Sequence, residues 1–281
     1  MSVGCAELSE AAGESIAATA TTADRWLVLE VPGTWPRDVS LEGALPAGAQ
    51  EAVSTWLEET PRSRLQFVRR PGRAVRGPVA FVVRSEEEGG EVRRIELEAH
   101  DDLARIDLAT AGDPIDGSLV LVCWHGTRDQ CCARRGTAVF AALADRLGAE
   151  EAWISSHQGG HRFAANLLVL PAGLQFGRVS PDEAPFLTAR ALAGRIELDR
   201  YRGRTCYEPA VQAAERAVRE EAVLDGVADL RLVEVAGDTV RFRAWDGAEY
   251  SVSVEEMKGP SVPASCGADP EPQRAFVANL L

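Results

Sequence analysis

Apolar runs broken by turn chemistry divide the chain into short strands and a few helices. Trp26–Val31 (WLVLEV) stops at Pro32-Gly33, the pattern of a buried strand. Ala49, Ala52, Val53, Trp56 and Leu57 recur at helical spacing and predict a helix over Ala49–Glu59. Leu65–Arg69, Val79–Val83 and Arg93–Glu98 are predicted strands, with Glu86–Gly90 a charged loop between the last two. After the turn-rich Gly112-Asp113-Pro114, Leu119–Cys123 (LVLVC) is continuously apolar, as in a central strand covered on both faces. Thr137–Leu147 is an alanine-rich amphipathic helix stopped by Gly148. Ala152–Ser155, Asn166–Leu170 and Leu174–Val179 follow as strands, the last two paired as a hairpin around Pro171-Ala172-Gly173. Ser180 or Asp182 caps a helix reaching Leu192, and Pro209 opens another that ends at Ala222. Leu230–Val235, Thr239–Ala244 and Tyr250–Val254 form a small meander. Beyond Gly259 the Pro-, Ser-, Gly- and Ala-rich segment predicts a loosely held tail.

These elements predict an α/β protein in three regions. Residues 1–112 form an α/β region related to the one that follows, and 113–200 run β-α-β-loop-β-β-α, the order of a thioredoxin-like unit. Residues 201–281 supply a helix, a β meander and the tail as a small extension. Trp26, Trp35, Trp56 and Trp245 are expected in the core or between regions.

At 281 residues, 46% hydrophobic and 26% charged, the composition is that of a globular protein with one large or two modest cores. A formal charge of −13 repels a long phosphate backbone, and the basic residues (Arg69, Arg70, Arg73, Arg76, Arg134, Arg135) are scattered, so nucleic acid is not an expected partner. No run approaches the roughly 20 apolar residues that span a bilayer, so no membrane is expected either. The opening MSVGCAELSEAAGESIAATA lacks the basic and apolar regions of a secretory signal, which predicts a cytoplasmic protein.

The chemistry concentrates in one window. Three of six cysteines (Cys123, Cys131, Cys132) and three of four histidines (His125, His157, His161) lie between residues 123 and 161. Without an export signal, cysteines in a chain this long point to metal or redox chemistry rather than disulfides. Cys123 ends the predicted central strand and His157 follows the next one, the end of an open sheet where ligands gather. Gly159-Gly160 inside the HxxxH spacing disfavours regular helix and favours a loop whose backbone approaches a bound group closely. Two thiolates with two imidazoles suit tetrahedral zinc or a [2Fe–2S] cluster in which His replaces Cys on one iron. Zinc knuckles pair cysteines a few residues apart. The nine positions from Cys123 to Cys132, read as a loop folding back, favour the bulkier cluster and leave Cys131 as the alternative to Cys132. His125, Arg128, Asp129, Gly159, Gly160 and Arg162 are expected to support the ligands. Cys5, Cys206 and Cys266 have no partner at ligand spacing and are read as non-ligands.

CWHGTRDQCCARRG followed by HQGGHRFAANLLVLPAGLQFGRV resembles the sucrase/ferredoxin-like family, which is similar to thioredoxin-like [2Fe–2S] ferredoxins. The match is specific over about Leu119–Val179, where HxGGHRFAxN adds Asn166 to the supporting residues. It is weaker at Glu14–Ala20, Gln212–Glu215 and Ser265-Cys266-Gly267. The resemblance implies cluster ligands at Cys123, Cys132, His157 and His161. Relatives that read Arg-Cys-Gly align their single cysteine with Cys132 rather than Cys131. It also implies electron transfer, to or from a redox protein or a small molecule, as a carrier or a reductase component, with reduction coupled to proton uptake at the imidazoles. A structural zinc protein, or a thiol oxidoreductase using Cys131 or Cys132, are the alternatives. No carboxylate pair supports the hydrolytic half of the family's label. Oligomeric state is left open.

Overall fold

The computed structural model describes residues 3–40, 43–71, 77–148 and 151–281, so Arg73 and Arg76 lie outside the described residues. In chain order the regular elements begin with α1 (Cys5–Ala11), β1 (Arg25–Glu30), α2 (Ala47–Glu59), β2 (Ser63–Arg69), β3 (Val79–Glu86), β4 (Gly89–Glu96) and β5 (Asp113–Ile115). They continue with β6 (Leu119–Cys123), α3 (Gln130–Ala144), β7 (Ala152–Ser155), β8 (Leu167–Leu170), β9 (Leu174–Phe176), α4 (Ala184–Leu192) and β10 (Tyr201–Arg204). The last are α5 (Pro209–Ala222), β11 (Leu230–Ala236), β12 (Thr239–Ala244), β13 (Glu249–Pro263) and β14 (Pro270–Leu280). The protein is therefore mixed α/β, with more strand than helix.

The first ten strands make one mixed sheet in the order β10-β9-β8-β6-β7-β2-β1-β3-β4-β5. A topology is repeated inside it. β1 is parallel to β2 across the α2 crossover and antiparallel to β3, which pairs antiparallel with β4. β6 is likewise parallel to β7 across α3 and antiparallel to β8, which pairs antiparallel with β9. The two sets meet edge to edge through antiparallel β2 and β7, Val68 opposite Ser155 and Arg69 opposite Ile154. Joining the edge strands removes two exposed rows of backbone hydrogen-bonding groups.

Both crossover helices cover the same face. Val53 and Trp56 of α2, and Val139, Phe140 and Leu143 of α3, pack on Leu27, Leu29, Phe67, Val120, Val122 and Ile154. The opposite face buries Trp26, Val28, Phe81, Leu121, Trp153 and Leu168. β6 lies between β7 and β8 with all five residues buried, so its side chains are apolar on both faces, as its sequence predicts.

Three sequence expectations change. The helix expected from Thr137 begins at Gln130, capped by Asp129, whose carboxylate accepts the Cys131 backbone N–H at 2.8 Å. Cys131 and Cys132 therefore sit in a helical first turn and not in a loop. The Pro- and Gly-rich tail is ordered: β13 continues to Pro263 and β14 pairs with it along the edge of a second, four-stranded antiparallel sheet, β11-β12-β13-β14. Strands this long hide under a composition that period-2 patterning does not mark, because most of their residues are exposed or half-exposed on both faces and pairing comes from the partner strand. Trp26, Trp35 and Trp56 are buried, but Trp245 is 74% exposed at the end of β12. α5 packs its Val211, Ala214 and Val218 against Val240, Phe242 and Val252 of the second sheet.

Candidate functional site

The C-terminal end of β6 places Cys123 at the rim of the large sheet, fully buried. The next six residues turn back, and α3 then returns over β6. Gly136 permits that return. A β-carbon there would lie 2.2 Å from the Cys123 carbonyl oxygen, so any side chain would lift the helix away. With α3 this close, Cys132, Cys123 and His157 place their ligand atoms within 4.8 Å of one another.

His157 lies two residues beyond the end of β7. Its backbone N–H donates to His125 Nδ1 at 3.1 Å, while His125 Nε2 pairs with the Pro36 carbonyl at 2.8 Å. Both nitrogens of His125 are thus committed to backbone, and its role is to hold the start of this loop. Gln158 anchors the loop to β6 through Leu121 O, at 2.8 Å. Gly159 and Gly160 take φ of +88° and +68°, values that L side chains adopt only with strain, and the chain reverses to bring His161 onto His157. The two rings stack with centroids 4.3 Å apart and planes 27° apart.

Neither His157 Nδ1 nor His161 Nδ1 has a hydrogen-bond partner among the described residues, although both atoms are buried. Burial holds both imidazoles neutral, with His157 drawn down to about 2 by desolvation and then by His161, and His161 down to about 4 by desolvation. Neutral imidazole is the form that ligates metal. At the thiol pair, donation from Cys132, and from the backbone at Gln158 and His125, lowers Cys123, whereas the neighbouring Cys123 raises Cys132. The two thiols are therefore inequivalent, Cys123 giving up its proton more readily than Cys132.

A buried cation locks the histidine loop. Arg202 of β10 is 2% exposed and donates to Gly159 O at 3.0 Å, to Asn166 Oδ1 at 2.9 Å and to Thr19 Oγ1 at 3.0 Å. Desolvation lowers it to about 9. Asn166 donates in turn to Gly160 O at 2.9 Å. Arg162 leaves the site and pairs with the buried Glu14 at 2.7 Å. Arg128 lines a cleft with Arg37, Arg64, His125 and His157, and its Nε has no partner among the described residues.

The expected ligands therefore divide. Cys123, Cys132 and His157 converge, and His161 stands one ring-stack away. Cys131, one residue before Cys132, faces elsewhere: its Sγ lies 3.7 Å from Cys5 Sγ and 3.4 Å from Cys266 Sγ, beside Asp129. Cys5 and Cys266, read from spacing as non-ligands, join it from opposite ends of the chain. Arg202, Glu14 and Gln158 also escaped the sequence reading; only Glu14 and Gln158 lay inside stretches that resembled a family.

The sequence profile of the sucrase/ferredoxin-like family matches residues 16–203. Curated relatives named "Altered inheritance of mitochondria protein 32" are similar over shorter stretches. The one from Clavispora lusitaniae is 31% identical over 100 residues, 33% of this chain and 37% of its own length. The one from Eremothecium gossypii is 33% identical over 106 residues, 33% of this chain and 34% of its own. The chain thus spans about a third of the length of these relatives. They are named for altered inheritance of mitochondria and not for electron transfer. The expected function of a proton-coupled electron-transfer protein, and its alternatives of a structural zinc protein or a thiol oxidoreductase, are corrected accordingly: a resemblance in motif carried a role that the relatives' names do not carry. Of the cytoplasmic expectation, what stands is that no helix among the described residues is long and apolar enough to cross a membrane.

Proposed function

The chain belongs to the sucrase/ferredoxin-like family, and from that premise we propose that it is a cluster-binding protein, holding a [2Fe–2S] cluster between the Cys123–Cys132 pair and the His157–His161 pair. The observation that carries this reading is the stacked histidine pair whose two buried Nδ1 atoms have no partner among the described residues, next to two buried thiols. An unpaired buried nitrogen costs roughly 1–3 kcal/mol, and two side by side are explained if a metal takes them. A single ion needs all four atoms about one point, and His161 stands outside the group formed by the other three, which suits two irons better than one. When bound, such a cluster supplies bridged iron and sulfide and a visible sulfur-to-iron charge-transfer absorption.

The residues around the pair fit the same reading. Arg202, Asn166 and the two glycines fix the histidine loop without occupying the imidazole nitrogens, as supporting residues of a metal site do. We infer as well that β6-α3-β7-β8-β9-α4, and the matching β1-α2-β2-β3-β4, are two thioredoxin-like units, on the strength of their shared strand order.

The test is purification without oxygen followed by metal, sulfide and absorption measurements. Iron and acid-labile sulfide in equal amounts, two of each per chain, with a visible band lost in Cys123→Ser and in His157→Ala, are expected. A colourless protein carrying zinc at these residues overturns the cluster.

A further inference from the structure

Three thiols and a carboxylate from three separate stretches of chain meet at the start of α3. Cys5 opens α1, Asp129 caps α3, Cys131 lies in its first turn, and Cys266 sits in the connection between β13 and β14. Cys5 and Cys131 are almost fully buried, Asp129 is 4% exposed, and Cys266 is half-buried. Their four ligand atoms lie within 4.8 Å of one another.

The spacings have a pattern. Cys5 Sγ is 3.7 Å from Cys131 Sγ and 3.7 Å from Cys266 Sγ, and Cys131 Sγ is 3.4 Å from Cys266 Sγ. Asp129 Oδ2 and Oδ1 stand 3.7 and 3.8 Å from Cys5 Sγ, and Oδ1 is 3.4 Å from Cys266 Sγ. A tetrahedral ion with metal–sulfur bonds of about 2.3 Å and a metal–oxygen bond of about 2.0–2.2 Å has sulfur–sulfur edges of about 3.8 Å and sulfur–oxygen edges of about 3.5 Å. The observed sulfur–sulfur spacings, 3.4–3.7 Å, lie just inside the first value, and the sulfur–oxygen spacings, 3.4–3.8 Å, bracket the second. A pairwise disulfide, even at the shortest contact between Cys131 and Cys266, would leave the Cys5 thiol without a role.

Asp129 is held for the task. Oδ1 accepts the Cys131 N–H and Oδ2 accepts the Cys266 N–H, both at 2.8 Å, so one carboxylate ties the helix start to the far hairpin. Each oxygen keeps a lone pair free toward the sulfurs. Two backbone donors are what orient a ligating carboxylate.

We propose that Cys5, Cys131, Cys266 and Asp129 form a second metal site, a three-sulfur, one-oxygen tetrahedral set for zinc or another thiophilic divalent cation. Binding releases the three thiol protons to solvent as three metal–sulfur bonds form, with no change of oxidation state. Three thiolates and one carboxylate around a doubly charged ion carry the same net charge as the all-cysteine zinc sites. The ion would pin α1 and the β13–β14 hairpin onto the helix that presents Cys132, so the chain's two ends brace the other site. This assignment stands apart from the cluster, since it uses none of Cys123, Cys132, His157 or His161.

The test uses the full-length chain, stripped of metal under reducing conditions and titrated with cobalt(II), then with zinc. One equivalent of cobalt should give thiolate-to-cobalt charge-transfer absorption that zinc displaces. Cys5→Ser and Cys266→Ser should each remove that equivalent, and Cys123→Ser should keep it. Cys266 is half-buried in a hairpin connection, so Cys266→Ser keeps the test sound if Cys5→Ser misfolds. Cobalt uptake unchanged in Cys266→Ser, or none by the reduced wild type, overturns the site. So does a native disulfide among these three cysteines, read by mass spectrometry.

Discussion

Cys131 and Cys132 are consecutive in the first turn of α3, yet their thiols serve different neighbourhoods. Cys131 Sγ lies 3.4 Å from Cys266 Sγ, whereas Cys132 groups with Cys123 and His157. Successive residues on a helix point about 100° apart, so one turn presents one thiol to each side. The vicinal pair that looked ambiguous in sequence is a divider between two sites.

That division predicts opposite phenotypes. Cys132→Ser should lose the visible absorption and leave cobalt binding by the Cys5 group intact. Cys131→Ser should keep the visible absorption and lose the cobalt signal. Parallel loss of both signals in both variants, in protein shown to be folded by circular dichroism, would refute the division.

Gly136→Ala should separate Cys132 from Cys123. The added carbon meets backbone rather than a movable side chain, so α3 must shift. Overpacking of this kind costs about 1–3 kcal/mol. Urea denaturation should show that loss, and iron retention should fall more steeply than in Gly33→Ala. That second glycine has open space around it and serves as the backbone-strain control.

Acid should weaken the metal-free fold through the histidine pair. In the unfolded chain both titrate near 6.5, and burial lowers them to about 2 and about 4. Between those values the unfolded state binds more protons, so stability is complete above about pH 6.5 and falls as pH drops towards 4. The urea midpoint of metal-free protein should decrease from pH 7.5 to pH 5. The decrease should shrink in His157→Ala/His161→Ala, and an equal decrease in both proteins would remove the histidines as its source.

Far from either site, Arg219 and Glu215 of α5 form an ion pair at 3.0 Å, with both side chains essentially inaccessible. Glu215 also accepts the Tyr201 hydroxyl at 3.0 Å, which joins α5 to the edge of the large sheet. Glu215→Ala leaves a buried guanidinium unpaired, at a cost of about 3–5 kcal/mol in chemical denaturation. Glu215→Gln keeps an acceptor for Tyr201 and should cost less.

The one-dimensional pattern of this chain determined its local elements. β6, β7, β12 and α5 begin and end where apolar runs, Pro209 and the turn residues place them, because strand and helix periodicity are local properties. Cys123, His157 and the Gly159-Gly160 reversal were legible for the same reason: each lies at the end of a readable strand. The start of α3 was not, since a polar TRDQ stretch carries no apolar period and the Asp129 cap competes with its reading as loop. The pairing of β2 with β7, the hairpin that orders residues 249–280, and the salt-bridged and hydrogen-bonded arginines around the histidine loop were decided by tertiary structure. So was the meeting of Cys5, Cys131 and Cys266. Those residues are separated by more than a hundred positions at each step, and no local spacing records a distance that only the folded backbone closes.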